Sequence, residues 1–123
     1  MDPLLIESTE DTPHILLDPG QGKFMIAERS WMENAIEFYE PVVEWLEAYL
    51  NAPNPETIFE FHLEYFNTAS AKQIAKILLT LEKYSSKTEI TIKWHYDKHD
   101  MDMLTSGSRY AKLLNINYEF IEH

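Results

Sequence analysis

One stretch, Ile58 to Leu81 (IFEFHLEYFNTASAKQIAKILLTL), changes its hydrophobic period halfway, and few folds accommodate that change. In its first half Phe59, Phe61, Leu63 and Tyr65 alternate with Glu60, His62 and Glu64, the pattern of a strand buried on one face. In its second half Ala71, Ile74, Ala75, Leu78 and Leu81 recur at helical spacing. Asn67-Thr68-Ala69-Ser70 joins the two. A hydroxyl therefore stands at a helix start, near unpaired backbone N–H groups and the positive end of the dipole. An anion, a covalently attached phosphate included, is well tolerated there.

The rest of the chain extends the same alternation. Met1 to Pro13 is polar and acidic apart from Leu4-Leu5-Ile6, and reads as a loosely ordered surface segment. His14–Asp18 and Lys23–Glu28 flank Pro19-Gly20-Gln21-Gly22 and predict a hairpin. Ser30 and Glu33 have capping-box spacing, which starts a helix from Met32 to about Asn51. Its apolar arc comprises Met32, Ala35, Ile36, Tyr39, Val42, Val43, Leu46, Tyr49 and Leu50, and Pro41 predicts a kink or a local break. Trp31, Phe38 and Trp45, seven apart, read as core packing at the arc's edge.

Beyond the second helix, Glu89–Asp97 alternates with Ile90, Ile92, Trp94 and Tyr96 inward and Thr91, Lys93 and His95 outward. Asp100 or a neighbour can cap a third helix with Met101, Leu104, Ala111 and Leu114 on its inner side. Tyr118, Phe120 and Ile121 suggest a last strand. The predicted order is β-β-α-β-α-β-α-β, a single α/β domain over residues 1–123. Strand–helix–strand units favour parallel pairing. Two strands with a polar face argue for a mixed sheet with helices mainly on one side.

Charge narrows the function classes. Asp and Glu number 21 against 10 Lys and Arg, a formal charge of −11, which repels phosphate backbones and anionic lipid. Nucleic-acid and membrane-surface binding are thus disfavoured. There is no cysteine, hence no disulfide frame and no thiolate chemistry. The opening MDPLLIESTEDTP lacks a signal-peptide pattern, and no apolar run approaches spanning length, so a cytoplasmic protein is expected.

Catalytic motifs are missing: no G-x-S-x-G and no phosphate-cradling glycine loop occurs, and Glu60 with Glu64 has nothing to mark an acid–base pair. The expectation is a non-enzyme without a cofactor. Taken alone, Asn67, Thr68 or Ser70 is simply a helix cap, with Ser70 and Gln73 offering a second capping box. Glu33, Glu37, Glu40, Glu44 and Glu47 form one acidic stripe along the first helix. Like charges at i,i+4 cost a few tenths of a kcal/mol per pair. The stripe is therefore a solvated face or a docking surface. Around His95, Asp97, His99 and Asp102, imidazoles and carboxylates cluster, but the spacing fits no zinc signature and no metal is expected. A metal- or small-ligand-binding domain built on that segment is the alternative, and His62 and His95 read as satisfied surface histidines.

Three blocks carry a family resemblance. Glu33-Asn34-Ala35 leading to Phe38-Tyr39-Glu40-Pro41-Val42-Val43-Glu44-Trp45-Leu46, then Tyr65-Phe66-Asn67-Thr68-Ala69-Ser70-Ala71-Lys72, then Trp94-His95-Tyr96-Asp97 resemble the SiaC-type regulatory phosphoproteins. The similarity runs from about Thr12 onward. It implies a STAS-like architecture, similar to anti-sigma-factor antagonists, and a bacterial partner-switching role. Thr68 matches a threonine phosphorylated by an anti-sigma-type serine/threonine kinase and dephosphorylated by a PP2C-like phosphatase. The unphosphorylated form is expected to bind a diguanylate cyclase and promote cyclic-di-GMP synthesis. Ala69 stands where family members often carry serine, which removes a second acceptor and leaves Thr68. Glu33, Glu37, Glu40, Glu44, Glu60 and Glu64 are the candidate partner surface, since added phosphate in acidic surroundings favours release.

Overall fold

The computed structural model describes all 123 residues. Its elements are β1 (Leu4–Ile6), β2 (His14–Asp18), β3 (Lys23–Ser30), α1 (Ala35–Tyr49), β4 (Glu56–Phe66), α2 (Thr68–Lys83), β5 (Glu89–Tyr96), α3 (Met101–Leu113) and β6 (Asn117–Glu122). One six-stranded sheet has the order β1-β2-β3-β4-β5-β6. β1, β2 and β3 pair antiparallel, and β3 to β6 pair parallel. Right-handed crossovers that always step the same way put every helix on one face. Burial follows that rule. Thr57, Phe59, Phe61 and Leu63 of β4 are buried, whereas Glu60, His62 and Glu64 look out from the open face. The α/β class, the mixed sheet and the one-sided helices are as the sequence predicts.

The order gains one strand. Leu4-Leu5-Ile6 pairs with Ile15–Leu17, so the first residues are docked, not loose. Two indoles hold them: Trp45 Nε1 donates to the Asp2 carbonyl at 2.9 Å and Trp31 Nε1 to the Glu10 carbonyl at 3.0 Å. Trp45 stacks on Tyr49 beside the core, but Trp31 is half exposed and lies outside the helix.

α1 begins later than predicted. Ser30 remains in β3, buried, and Asn34 is the cap: its Oδ1 accepts from Glu37 N while its Nδ2 donates to Glu37 Oε2 at 2.6 Å. The spacing is that of a capping box moved four residues on, with Glu37 reaching the side-chain amide of Asn34 in place of its backbone N–H. The helix runs unbroken through Pro41, and the carbonyl left without a donor belongs to Glu37, an exposed residue. Ile36 is exposed, not core.

α3 is rotated from its predicted phase. Met103 and Gly107 are buried, while Met101 faces solvent. Trp94 sets this phase, since its Nε1 donates to the Met103 carbonyl at 3.0 Å and its ring lies under Gly107. A Cβ at position 107 would fall well inside van der Waals contact of the indole Cδ1 and Nε1. Trp94 is fully buried and has no room to yield. Gly107→Ala should therefore destabilise by about 1–3 kcal/mol despite alanine's better helix propensity. Urea unfolding of the two proteins checks this through the midpoint.

Candidate functional site at the start of helix α2

The crossovers β3–α1, β4–α2 and β5–α3 leave the sheet along one rim, at the carboxyl ends of the parallel strands. Thr68 is there, the first residue of α2 and exposed. Asn67 is the cap, its Oδ1 accepting from Ser70 N at 2.9 Å. The Thr68 hydroxyl is thus spared the capping role that a helix start usually assigns to Ser or Thr.

Beneath Thr68 the turn is held from three sides. Asn67 Nδ2 donates to the Met32 carbonyl at 3.0 Å, and Asn67 N to the Ser30 carbonyl at 3.0 Å. Ser70 Oγ and Tyr39 OH each lie 2.7 Å from Ser30 Oγ, so three buried hydroxyls tie β3, α1 and α2 together. Tyr110 OH of α3 donates to the Ala71 carbonyl at 2.8 Å. Burial pushes the Tyr110 phenol up to about 12, and burial drives Tyr39 higher still, so both remain neutral donors. Ser30 and Ser70 have the spacing of helix caps, yet both are spent on this buried junction, which has no periodicity by which a sequence could announce it. Trp31 and Tyr65, both half exposed, meet edge to face at 6.3 Å on the same rim. Ala69 packs partly against the core.

The acidic residues divide between two faces. Glu33, Glu37, Glu40 and Glu44 are exposed on or before α1, and Glu40 and Glu44 line a groove with Ile36, Gln73 and Lys76 where α1 meets α2. Glu60 and Glu64 do not join them. They point to the open sheet face, where Glu60 Oε1 lies 2.8 Å from His95 Nε2 and Glu64 Oε2 accepts from Arg29 Nε at 3.1 Å. Strand alternation puts them behind the sheet, so the six glutamates are not a single surface. The segment from His95 to Asp102 disperses as well: Asp97 Oδ1 accepts from His99 N, and Asp100 caps α3. On the open face His62 instead stacks with His95 and with His123, at 4.7 and 4.8 Å between ring centres. Burial, then the neighbouring imidazoles of His95 and His123, lowers the His62 pKa from the usual histidine value.

Fold and rim together define a small mixed α/β domain with an exposed threonine at a helix start. A family model described as SiaC family regulatory phosphoprotein matches residues 6–123, and the chain belongs to that family. An uncharacterized protein of Pseudomonas aeruginosa strain UCBPP-PA14 is 31% identical over 101 residues, covering 81% of this chain and 80% of its own length. The structure is similar to SiaC of Pseudomonas aeruginosa, with a TM-score of 0.90, 26% identity and 100% of both chains covered. It is similar also to a chain in the crystal structure of the diguanylate cyclase SiaD in complex with its activator SiaC from that organism. There the TM-score is 0.90 and the identity 25%, with 98% of this chain and 99% of that one covered. No helix is long and apolar enough to cross a membrane.

Ser30→Ala would strip a partner from two buried hydroxyls at once. A loss of about 1–3 kcal/mol is expected. Thermal unfolding should show a lower Tm, while an unchanged far-ultraviolet spectrum at low temperature should show that the fold itself is kept.

Proposed function

We propose that this protein is a non-enzymatic signalling phosphoprotein of the partner-switching kind, with Thr68 as the phosphoacceptor. Its partners in this reading are those the family resemblance implies: an anti-sigma-type serine/threonine kinase, a PP2C-like phosphatase and a diguanylate cyclase. The observation that carries the reading is the exposed Thr68 hydroxyl at the first position of a helix whose cap is a different residue. The other serine and threonine residues of the surrounding stretch, Ser30, Thr57 and Ser70, are fully buried. A kinase meets Thr68 without unfolding the chain.

The chemistry supports a switch that acts on binding and leaves the fold alone. Phosphate brings about −1.5 to −2 charge and several acceptor oxygens. At the first helical residue those oxygens face N–H groups that have no partner within the helix. The folded state accommodates the change. A partner docked over the rim, in contact with the neutral threonine and the half-exposed Trp31 and Tyr65, would meet a desolvated dianion instead. Glu33, Glu40 and Glu44 on the α1 side add to the repulsion of an acidic partner and to the attraction of a basic one.

Phosphosite mapping on protein from its native cell is the direct test. Trypsin leaves Ser30 to Lys72 as one peptide, and phosphate is expected on Thr68 alone, not on Thr57 or Ser70. In binding assays with the cognate cyclase, Thr68→Ala should bind like wild type, within about 0.5 kcal/mol in stability, and be indifferent to kinase and ATP. Thr68→Glu should bind roughly tenfold more weakly or worse, about 1.4 kcal/mol. Equal binding by phosphorylated and unphosphorylated protein would identify a constitutive interaction domain and end the switching reading.

A further inference from the structure

The open face of the sheet holds a second cluster that the partner-switching role does not use. His62, His95 and His123 come from β4, from β5 and from the residue after β6, and their ligand nitrogens all lie within 4.8 Å of one another. We propose that these three imidazoles form a site for one divalent transition-metal ion of the zinc class, with Glu60 as the carboxylate that orients His95.

The scaffold is rigid where a site needs it. His62 and His95 stand in the middle of the parallel sheet, and His123 is fixed by its N–H to the Tyr96 carbonyl and by Lys98 N to its own carbonyl, each at 2.9 Å. A zinc ion with Zn–N bonds of about 2.0–2.1 Å in tetrahedral array separates its ligand nitrogens by roughly 3.4 Å. His95 Nδ1 and His123 Nε2 are 2.8 Å apart, inside that span, and the widest separation in the cluster, 4.8 Å, lies outside it. Turning the rings about χ2 covers both differences and leaves the backbone in place.

Glu60 settles which nitrogen is free. Its Oε1 is 2.8 Å from His95 Nε2, so the carboxylate accepts the Nε2–H and the lone pair of His95 is at Nδ1, toward His123. His123 Nε2 then donates to that lone pair when no metal is bound. An ion entering between them displaces that proton, which moves through solvent to His123 Nδ1, so that His123 stays neutral and offers Nε2 to the metal. A carboxylate behind a metal-bound histidine is the usual device for fixing tautomer and ring orientation. The chain's formal charge of −11 favours cation uptake, and His62 and His123 are exposed enough to admit an ion. Neutral imidazoles suit zinc, nickel and copper, and three of them leave a fourth position for water.

The test uses the full chain without a histidine tag, stripped by chelator. Zn²⁺ is titrated by calorimetry and Co²⁺ by visible absorption. One equivalent should bind, with the intense bands of four-coordinate cobalt. His62→Ala and His123→Ala should each weaken binding at least tenfold, and Glu60→Gln by about 10–100-fold. His99→Ala, outside the cluster, should change nothing. Pulsed electron paramagnetic resonance of Cu²⁺-loaded wild type counts coordinated imidazoles with no variant required, and three are expected. No saturable binding, fewer than three imidazoles, or wild-type affinity retained by folded His62→Ala would overturn the site.

Discussion

Rings packed across the middle of the sheet hold the domain together. Phe24 of β3 meets Phe59 of β4 at 6.4 Å between centres, Phe59 meets Phe61 at 5.1 Å, and Phe61 meets Trp94 of β5 at 5.5 Å. Each of these side chains is essentially inaccessible to solvent, and full burial of one such ring contributes roughly 1.5–3 kcal/mol. The helices that flank this layer have their phases set by it. Tyr49 of α1 packs on Phe24 at 5.0 Å, and Gly107 of α3 lies directly on Trp94. With the helices placed, the first turn of α2 falls over Ser30, and the rim with Thr68 follows. The site is a consequence of the core.

Much of this was legible in the chain because alternation survives burial. Phe59, Phe61 and Leu63 against Glu60, His62 and Glu64 gave both the strand and its dry face, but Tyr65, the last residue of that alternation, is half exposed beyond the register shift between β3 and β4; the shift to helical spacing after Ser70 gave α2. What escaped was held by interactions between residues far apart in sequence. β1 has three residues and an acidic setting, and is stabilised by backbone pairing and by indoles from distant positions. Ser30 resembled a cap because serine followed three residues later by glutamate is what a cap looks like; its true partners are 9 and 40 residues away. Alternation on the last strand could have flagged His123, two places beyond the outward-facing Ile121. Nothing in the sequence tells that its ring meets His62 and His95.

The two chemically distinctive regions occupy different sides of the sheet. Thr68 opens a helix on the covered side, at the rim, while the histidines stand on the open face with Glu60. They share β4, which carries His62 outward and runs on to Phe66, one residue before the α2 cap. The proposed phosphoacceptor and the imidazole cluster are therefore connected by a single strand.

The strand order has a consequence for how the chain comes together. Because β1 to β6 lie side by side in the order of synthesis, every new strand adds to the edge left by the one before. No strand has to be inserted between two already paired, and each crossover closes a loop of modest length, for which the entropic cost grows only slowly. Topologies of this kind let an emerging chain build its sheet by accretion from the amino-terminal hairpin, with the aromatic layer growing from Phe24 to Phe59 to Trp94 as each strand arrives. The first and last strands end about 24 Å apart at roughly 4.8 Å per step. Joining those two edges to make a permuted chain would require a connection that spans the whole width of the sheet.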